Sequence, residues 1–251
     1  MEYSLNTIGL YPGLSMEETV KAAMAHGYRT FECWVVSPEE IADIARMEKE
    51  YAIRFSTIVT RHSILNVPAE RENYLAALEK LLQEMQVLST RTIITTVGQD
   101  TGAPREEQHA SIVAGLKAAA VLCEKYGVTL LVEPLNTVKN HVGYYLDSSA
   151  EGFEIIREVG SPNVRLLFDI YHQLQMGENV LPIIQENLDL IAHFHVAAIP
   201  ERDEHLWEGV DYTPILSMIR DSGTKAPVGI ELFPTKEGGS DKVLEELKRF
   251  L

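Results

Sequence analysis

The chain has 251 residues, 45% of them hydrophobic, and carries 22 Lys and Arg against 37 Asp and Glu for a formal net charge of −15. That length and apolar content suffice for one large core, so a single domain over residues 1–251 is expected. The acidity and the absence of a basic stripe argue against nucleic acid as a partner, because phosphate contacts supply much of that affinity. The opening "MEYSLNTIGLYP" has neither a positive leader nor a long apolar region, and no apolar run approaches the roughly 18 residues that a membrane span needs, so a cytoplasmic protein with no membrane partner is expected. Cys33 and Cys123 stand far apart in apolar surroundings, which suits buried free thiols.

In chain order, "YSLNTIG" reads as a short strand. Ser15 with Glu18 makes a capping box for the helix "SMEETVKAAMAHG", which Gly27 stops. "RTFECWV" is a second strand, and Ser37, Pro38 and Glu40 start a helix that runs to about Glu50. "IRFSTIV" follows as a strand. Leu75, Leu78, Leu82 and Met85 then recur at helical spacing. "RTIITTVG" is a fourth strand, the alanine-rich "PREEQHASIVAGLKAAAVLCEKYG" a long helix, and "VTLLVEP" a fifth strand. "SSAEGFEIIREVG" is a helix with a Ser148–Glu151 box, "NVRLLFDIYH" a strand, "NVLPIIQENLD" a helix despite Pro182, and "LIAHFHVA" a seventh strand. "YTPILSMIRDSG", "APVGIELFP" and "SDKVLEELKRF" complete the series as helix, strand and helix. Eight strand–helix units without a Pro-, Gly- or Ser-rich linker predict a parallel (β/α)8 TIM barrel. The competing doubly wound sheet wants a GxGxxG after its first strand, and "NTIGLYPG" has the wrong spacing.

Active sites of barrels lie at the C-terminal strand ends. Strands five to eight finish at Glu133, Asp169, His195 and Glu231, each after an apolar run. Four such groups on one rim would be mutually repulsive without a cation between them. Three oxygens and an imidazole suit one divalent ion, Mn2+, Mg2+ or Co2+, better than a structural zinc.

The phrases "LLVEPLNT", "LLFDIYHQL", "IAHFHVAAIPERDE" and "GIELFPTK" resemble the hydroxypyruvate isomerases, within the xylose-isomerase-like barrels that include the ketose 3-epimerases. "EPLN" and "FDIYH" are the most specific of them. The resemblance implies a metal held by Glu133, Asp169, His195 and Glu231, with Glu133 and Glu231 also carrying the proton, and His172 touching a substrate oxygen. It implies first the isomerisation of hydroxypyruvate to tartronate semialdehyde, and as the alternative a ketose 3-epimerase or aldose–ketose isomerase acting on a free sugar. Two departures favour the alternative. The isomerases usually carry glutamine where this chain has His195, and their "PGRHEP" and "GELNY" are "PERDEH" and "EGVDY" here, with Arg202 kept and Glu201 in place of the glycine. Family members form homodimers and homotetramers through outer helices. Some repair endonucleases share the fold, but that activity needs a positive groove and usually more histidine ligands.

Either reading takes a small α-hydroxycarbonyl substrate, in which two carboxylates move a proton between carbons beside C=O. Around them, Arg202 pairs with a substrate carboxylate or hydroxyl, or with Glu201, Asp203 or Glu204. Glu32 reaches into the pocket from strand two, or pairs with Arg29 or Arg54. His62 is a pocket or lid contact. Trp34, Tyr144 and Trp207 are candidate walls that keep water out, or ordinary packing. His193 shares a strand face with His195 and is either a hydrogen-bond partner of a carboxylate ligand or a satisfied core histidine.

Overall fold

The structure, a computed structural model, describes residues 1–250. Its strands are β1 (Tyr3–Asn6), β2 (Thr30–Val35), β3 (Arg54–Val59), β4 (Thr92–Thr95), β5 (Thr129–Val132), β6 (Val164–Asp169), β7 (Ile191–Val196) and β8 (Val228–Ile230). All pair in parallel with their sequence neighbours, and β1 closes on β8 with Leu5 opposite Ile230, so the sheet is the closed eight-stranded barrel expected from the element order. The outer layer is α1 (Met16–Ala25), α2 (Pro38–Tyr51), α3 (Arg71–Glu84), α4 (Arg105–Tyr126), α5 (Ser149–Val159), α6 (Ile170–Gln175), α7 (Val180–Asn187), α8 (Thr213–Asp221) and α9 (Gly239–Leu247). None of the described helices is long and apolar enough to cross a membrane. Both cysteines are buried and free.

The main core fills the space between sheet and helices, while Ile94, Leu131 and Leu167 form a separate apolar layer inside the barrel. Because side chains alternate along a strand, the inward positions two residues beyond Leu131 and Leu167 are Glu133 and Asp169. The apolar layer is thus the floor of the polar rim.

The capping boxes at Ser15–Glu18 and Ser37–Glu40 form, with Pro38 in the first turn. The expected box at Ser148–Glu151 does not: Ser148 makes no side-chain cap. Glu151 is drawn away to Arg105, His109 (3.0 Å) and Tyr145 (2.7 Å). The chain after β6 also differs from expectation. Asp169 Oδ1 accepts the His172 amide (3.1 Å) and caps the short helix α6, so "IYH" is helical and does not extend the strand.

Candidate metal centre

Glu133 directly follows β5, Asp169 ends β6, His195 lies near the end of β7 and Glu231 directly follows β8. All four are buried, and one ligand atom from each falls within 4.8 Å of the others. His195 Nδ1 faces the three carboxylates, at 3.3 Å from Glu231, 3.5 Å from Glu133 and 3.9 Å from Asp169. Asp169 Oδ2 and His195 Nδ1 are buried without a hydrogen-bond partner, a state that is costly unless something else satisfies them. Orphaned donor atoms aimed at one point, with three oxygens and one imidazole, fit a single divalent ion of the Mn2+, Mg2+ or Co2+ type.

The two glutamates are held differently. Glu231 accepts from the Trp34 indole (2.8 Å) and the Arg202 guanidinium (2.5 Å). Burial pushes its carboxyl up, but His195, Arg202 and Trp34 together bring it below the ordinary range. Glu133 lacks the Arg202 and Trp34 contacts, and burial, aided by Glu231 and Asp169, raises it against the opposing pull of His195. Burial likewise raises Asp169. His195, although buried, is held well above the usual imidazole value by Glu32, Glu133 and Glu231.

Beneath the rim lies a second layer. The pairing of β2 with β3 shifts register on both sides of Glu32, the kind of irregularity that re-aims a side chain. The Glu32 carboxylate, 1% exposed, reaches His193 Nε2 at 3.0 Å and His195 Nε2 at 3.1 Å. Gly229 leaves the room for this: a Cβ there would lie 2.4 Å from His195 Cδ2 and 2.7 Å from Glu32 Oε1. Burial opposes ionisation of Glu32, but the two histidines lower it to about 2. Glu32 therefore does not line the pocket, and pairs with neither Arg29 nor Arg54. Its contact with His195 Nε2 is an ion-pair distance rather than an aligned hydrogen bond, and a carboxylate on that side favours a proton there and leaves Nδ1 towards the rim carboxylates, as carboxylates behind metal-binding histidines do. His193 bonds to this supporting carboxylate rather than to a rim ligand.

Above the rim is a cavity of about 760 Å3, lined in part by Trp34, Glu133, Tyr171, His172, Arg202 and Glu231. The His172 Nδ1 accepts from the Asn136 amide (3.1 Å), so the neutral ring carries its proton on Nε2, 3.4 Å from Asp169 Oδ2. Burial lowers this imidazole to about 3, which keeps it neutral. Arg202 is nearly enclosed, with its guanidinium 4.9 Å from the Tyr171 ring and 5.6 Å from Phe233. Of the two expectations for Arg202, the one of a neighbouring acid is changed in partner: it pairs with Glu231 and not with Glu201, Asp203 or Glu204. His62 is not among the lining residues and faces Glu70 at 3.4 Å. Trp207 stacks edge-on to Tyr212 and is also outside the lining, as is Tyr144, whose hydroxyl donates to the Glu133 carbonyl (3.1 Å). Lys139, His141 and Phe233 were not anticipated. The polar text "NTVKNH" just after the candidate ligand Glu133 is the signal that could have found the first two.

Residues 20–251 match the family described as "Xylose isomerase-like TIM barrel". A putative hydroxypyruvate isomerase of Mus musculus is 27% identical over 249 residues, covering 93% of this chain and 90% of its own. Among solved structures, an AP endonuclease, family 2, from Brucella melitensis superposes with a TM-score of 0.88 at 21% identity, covering 95% of each chain. A 3-keto-D-glucoside 4-epimerase from E. coli gives 0.85 at 17% identity, over 100% of this chain and 98% of that one. At those identities the two superpositions speak for the fold alone.

Proposed function

The chain belongs to the xylose isomerase-like TIM barrels, and from that premise we propose that it is a divalent-metal-dependent isomerase or epimerase acting on an uncharged ketose. The observation that carries the reaction class is the four-ligand cluster with a glutamate on either flank, Glu133 from β5 and Glu231 from β8. One glutamate takes a proton from the carbon beside the carbonyl, and the other returns a proton to the neighbouring carbon or to the opposite face. The bound ion would stabilise the negative charge that develops on the substrate oxygens. His172, neutral and with Nε2–H available, donates to a substrate oxygen. Trp34, Tyr171 and Phe233 keep water from the reacting carbons.

The charge state of the cavity supports a neutral substrate. Its two lining cations are already committed, Arg202 to Glu231 and Lys139 to Glu201 (2.7 Å). A keto acid would have to compete for one of them. Hydroxypyruvate is the second reading, favoured by the names of the sequence relatives and by Arg202 standing in the cavity wall. The endonuclease reading has little support, since the cavity offers no unpaired cation and the net charge is −15.

The test is a panel of hydroxypyruvate and free C4 to C6 ketoses with Mn2+, Mg2+ or Co2+, read by product formation and by deuterium exchange from solvent. Exchange into a ketose without tartronate semialdehyde formation supports the first reading; the reverse result replaces it with the second. Arg202→Ala separates them further. Losing a desolvated carboxylate partner costs about 2–5 kcal/mol in binding, whereas losing one hydrogen bond to a neutral sugar costs about 0.5–1.5 kcal/mol.

A further inference from the structure

Next to the metal pocket the rim opens into a second recess of about 450 Å3, walled by the segments that follow β3, β4 and β5. The two spaces share Thr96, Leu135 and His141 as a common partition. They differ in chemistry. The metal pocket is lined by several acids and two cations, whereas no Asp, Glu, Lys or Arg lines the recess.

The recess does offer neutral hydrogen-bonding groups that the protein leaves unused. Asn66 is 1% exposed, its Nδ2 donates to the Gln99 carbonyl (2.6 Å) and to Gln108 Oε1 (2.9 Å), and its Oδ1 packs against Gly98, so it shapes the wall and is not one of these groups. The Thr96 hydroxyl, the Gln99 side-chain amide and the ring nitrogens of His141 make no hydrogen bond among the described residues. Burial holds the His141 imidazole below its ordinary value, so it is a neutral donor and acceptor. Tyr144, Leu135 and Val67 supply apolar wall between these polar groups. A phosphate or carboxylate placed here would be desolvated with no cation to meet it. A ring with hydroxyls on its edge and C–H groups on its faces would satisfy both kinds of wall.

Size points the same way. Roughly 30 Å3 is the share of a liquid water and overstates that of a covalently bonded atom, so a hexose of twelve heavy atoms needs no more than about 360 Å3. The metal pocket alone takes such a sugar, and the recess is large enough for another. We propose that the recess is a subsite for a second, uncharged glycosyl unit, so that the substrate is a ketose carrying a glycosyl substituent rather than a free ketose or a sugar phosphate. The proposal rests on the ketose reading for its reacting end, with the substituent passing between Thr96 and Leu135.

Binding and turnover test the two separately. D-Fructose and two glucosyl-fructoses with a free carbonyl, turanose and isomaltulose, are titrated calorimetrically into the Mn2+-loaded protein, and turnover of each is followed by deuterium exchange. Wild type is expected to bind at least one disaccharide tenfold more tightly than D-fructose. Val67→Trp, which fills the recess, and Gln99→Leu, which removes hydrogen bonding at its exposed side without adding bulk, are each expected to erase most of that margin while Mn2+ affinity stays within twofold. Equal or weaker binding of both disaccharides in wild type, no measurable binding of any probe, or a margin that survives both substitutions overturns the subsite. A margin without exchange on any probe keeps the subsite and sinks the ketose chemistry. Exchange into D-fructose without a margin does the opposite.

Discussion

The two halves of the barrel contribute unequally. From β5 to β8 every strand delivers one charged or metal-capable side chain to the rim, at nearly the same height. From β1 to β4 only β2 delivers an acid to the centre, and it does so through a register shift and one layer lower. The second half therefore supplies the candidate metal ligands, while the first half supports them from below and walls the cavity. A site of this kind needs both, because ligands held by an unsupported shell do not keep their orientation.

The sharpest way to break the comparison is to remove a proton-transfer group from the second half. Glu133→Gln and Glu231→Gln should each lower kcat at least about a hundredfold, since positioned acid–base groups contribute roughly 10^2 to 10^4. The amide oxygen can still coordinate, so metal content is measured alongside activity. A variant that keeps its metal and a near wild-type kcat on the true substrate removes that residue from the proton path.

The next test concerns the first half. Glu32→Gln keeps the volume but replaces the charged acceptor beside His195 with an amide. Its expected effect is a loss of about 10–100-fold in Mn2+ affinity, the usual cost of removing the partner behind a metal-bound histidine. Calorimetric titration of the metal reads this without any substrate. A change smaller than twofold would mean that β2 is packing rather than support, and the asymmetry between the halves would be complete.

The same asymmetry explains what could be read in advance. The rim of β5 to β8 was legible because each ligand follows an apolar strand run, and one β/α step returns the chain to the same edge. Glu32 ends "RTFE" on the second strand without an apolar run before it, so only its place on the rim suggested a role, and its depth was not expected. A one-residue shift between β2 and β3 leaves no mark in composition or period. His172 was placed near the site and missed as helical, because the cap that starts α6 is the ligand Asp169 itself. The cavity walls Lys139 and Phe233 were missed for a simpler reason: they come from loops, whose path depends on contacts far along the chain.

The smallest effect tests the outer layer, where the expected capping box gave way to a cluster. His109 Nδ1 lies 3.0 Å from Glu151 and its Nε2 3.2 Å from Glu158, far from the metal centre. Burial alone would lower this imidazole, but the two glutamates outweigh it and raise it above its ordinary value. Glu151 is shifted the other way, its burial outweighed by His109, Tyr145 and Arg105, so it stays charged through the neutral range. A folded-state value raised above the unfolded one stabilises fully below the unfolded pKa, near 6.5, and that contribution fades as pH rises through the higher folded value. His109→Gln, which keeps a hydrogen bond but no charge, should therefore be less stable than wild type at pH 5.5. Solvent screens these partly exposed pairs, so the gap is about 0.3–1 kcal/mol, and it should close towards pH 8.5. Urea midpoints at the two pH values measure it. A gap that is unchanged or wider at pH 8.5 would show that whatever His109 adds does not come from its charge, and that Arg105 alone supplies the positive charge beside Glu151.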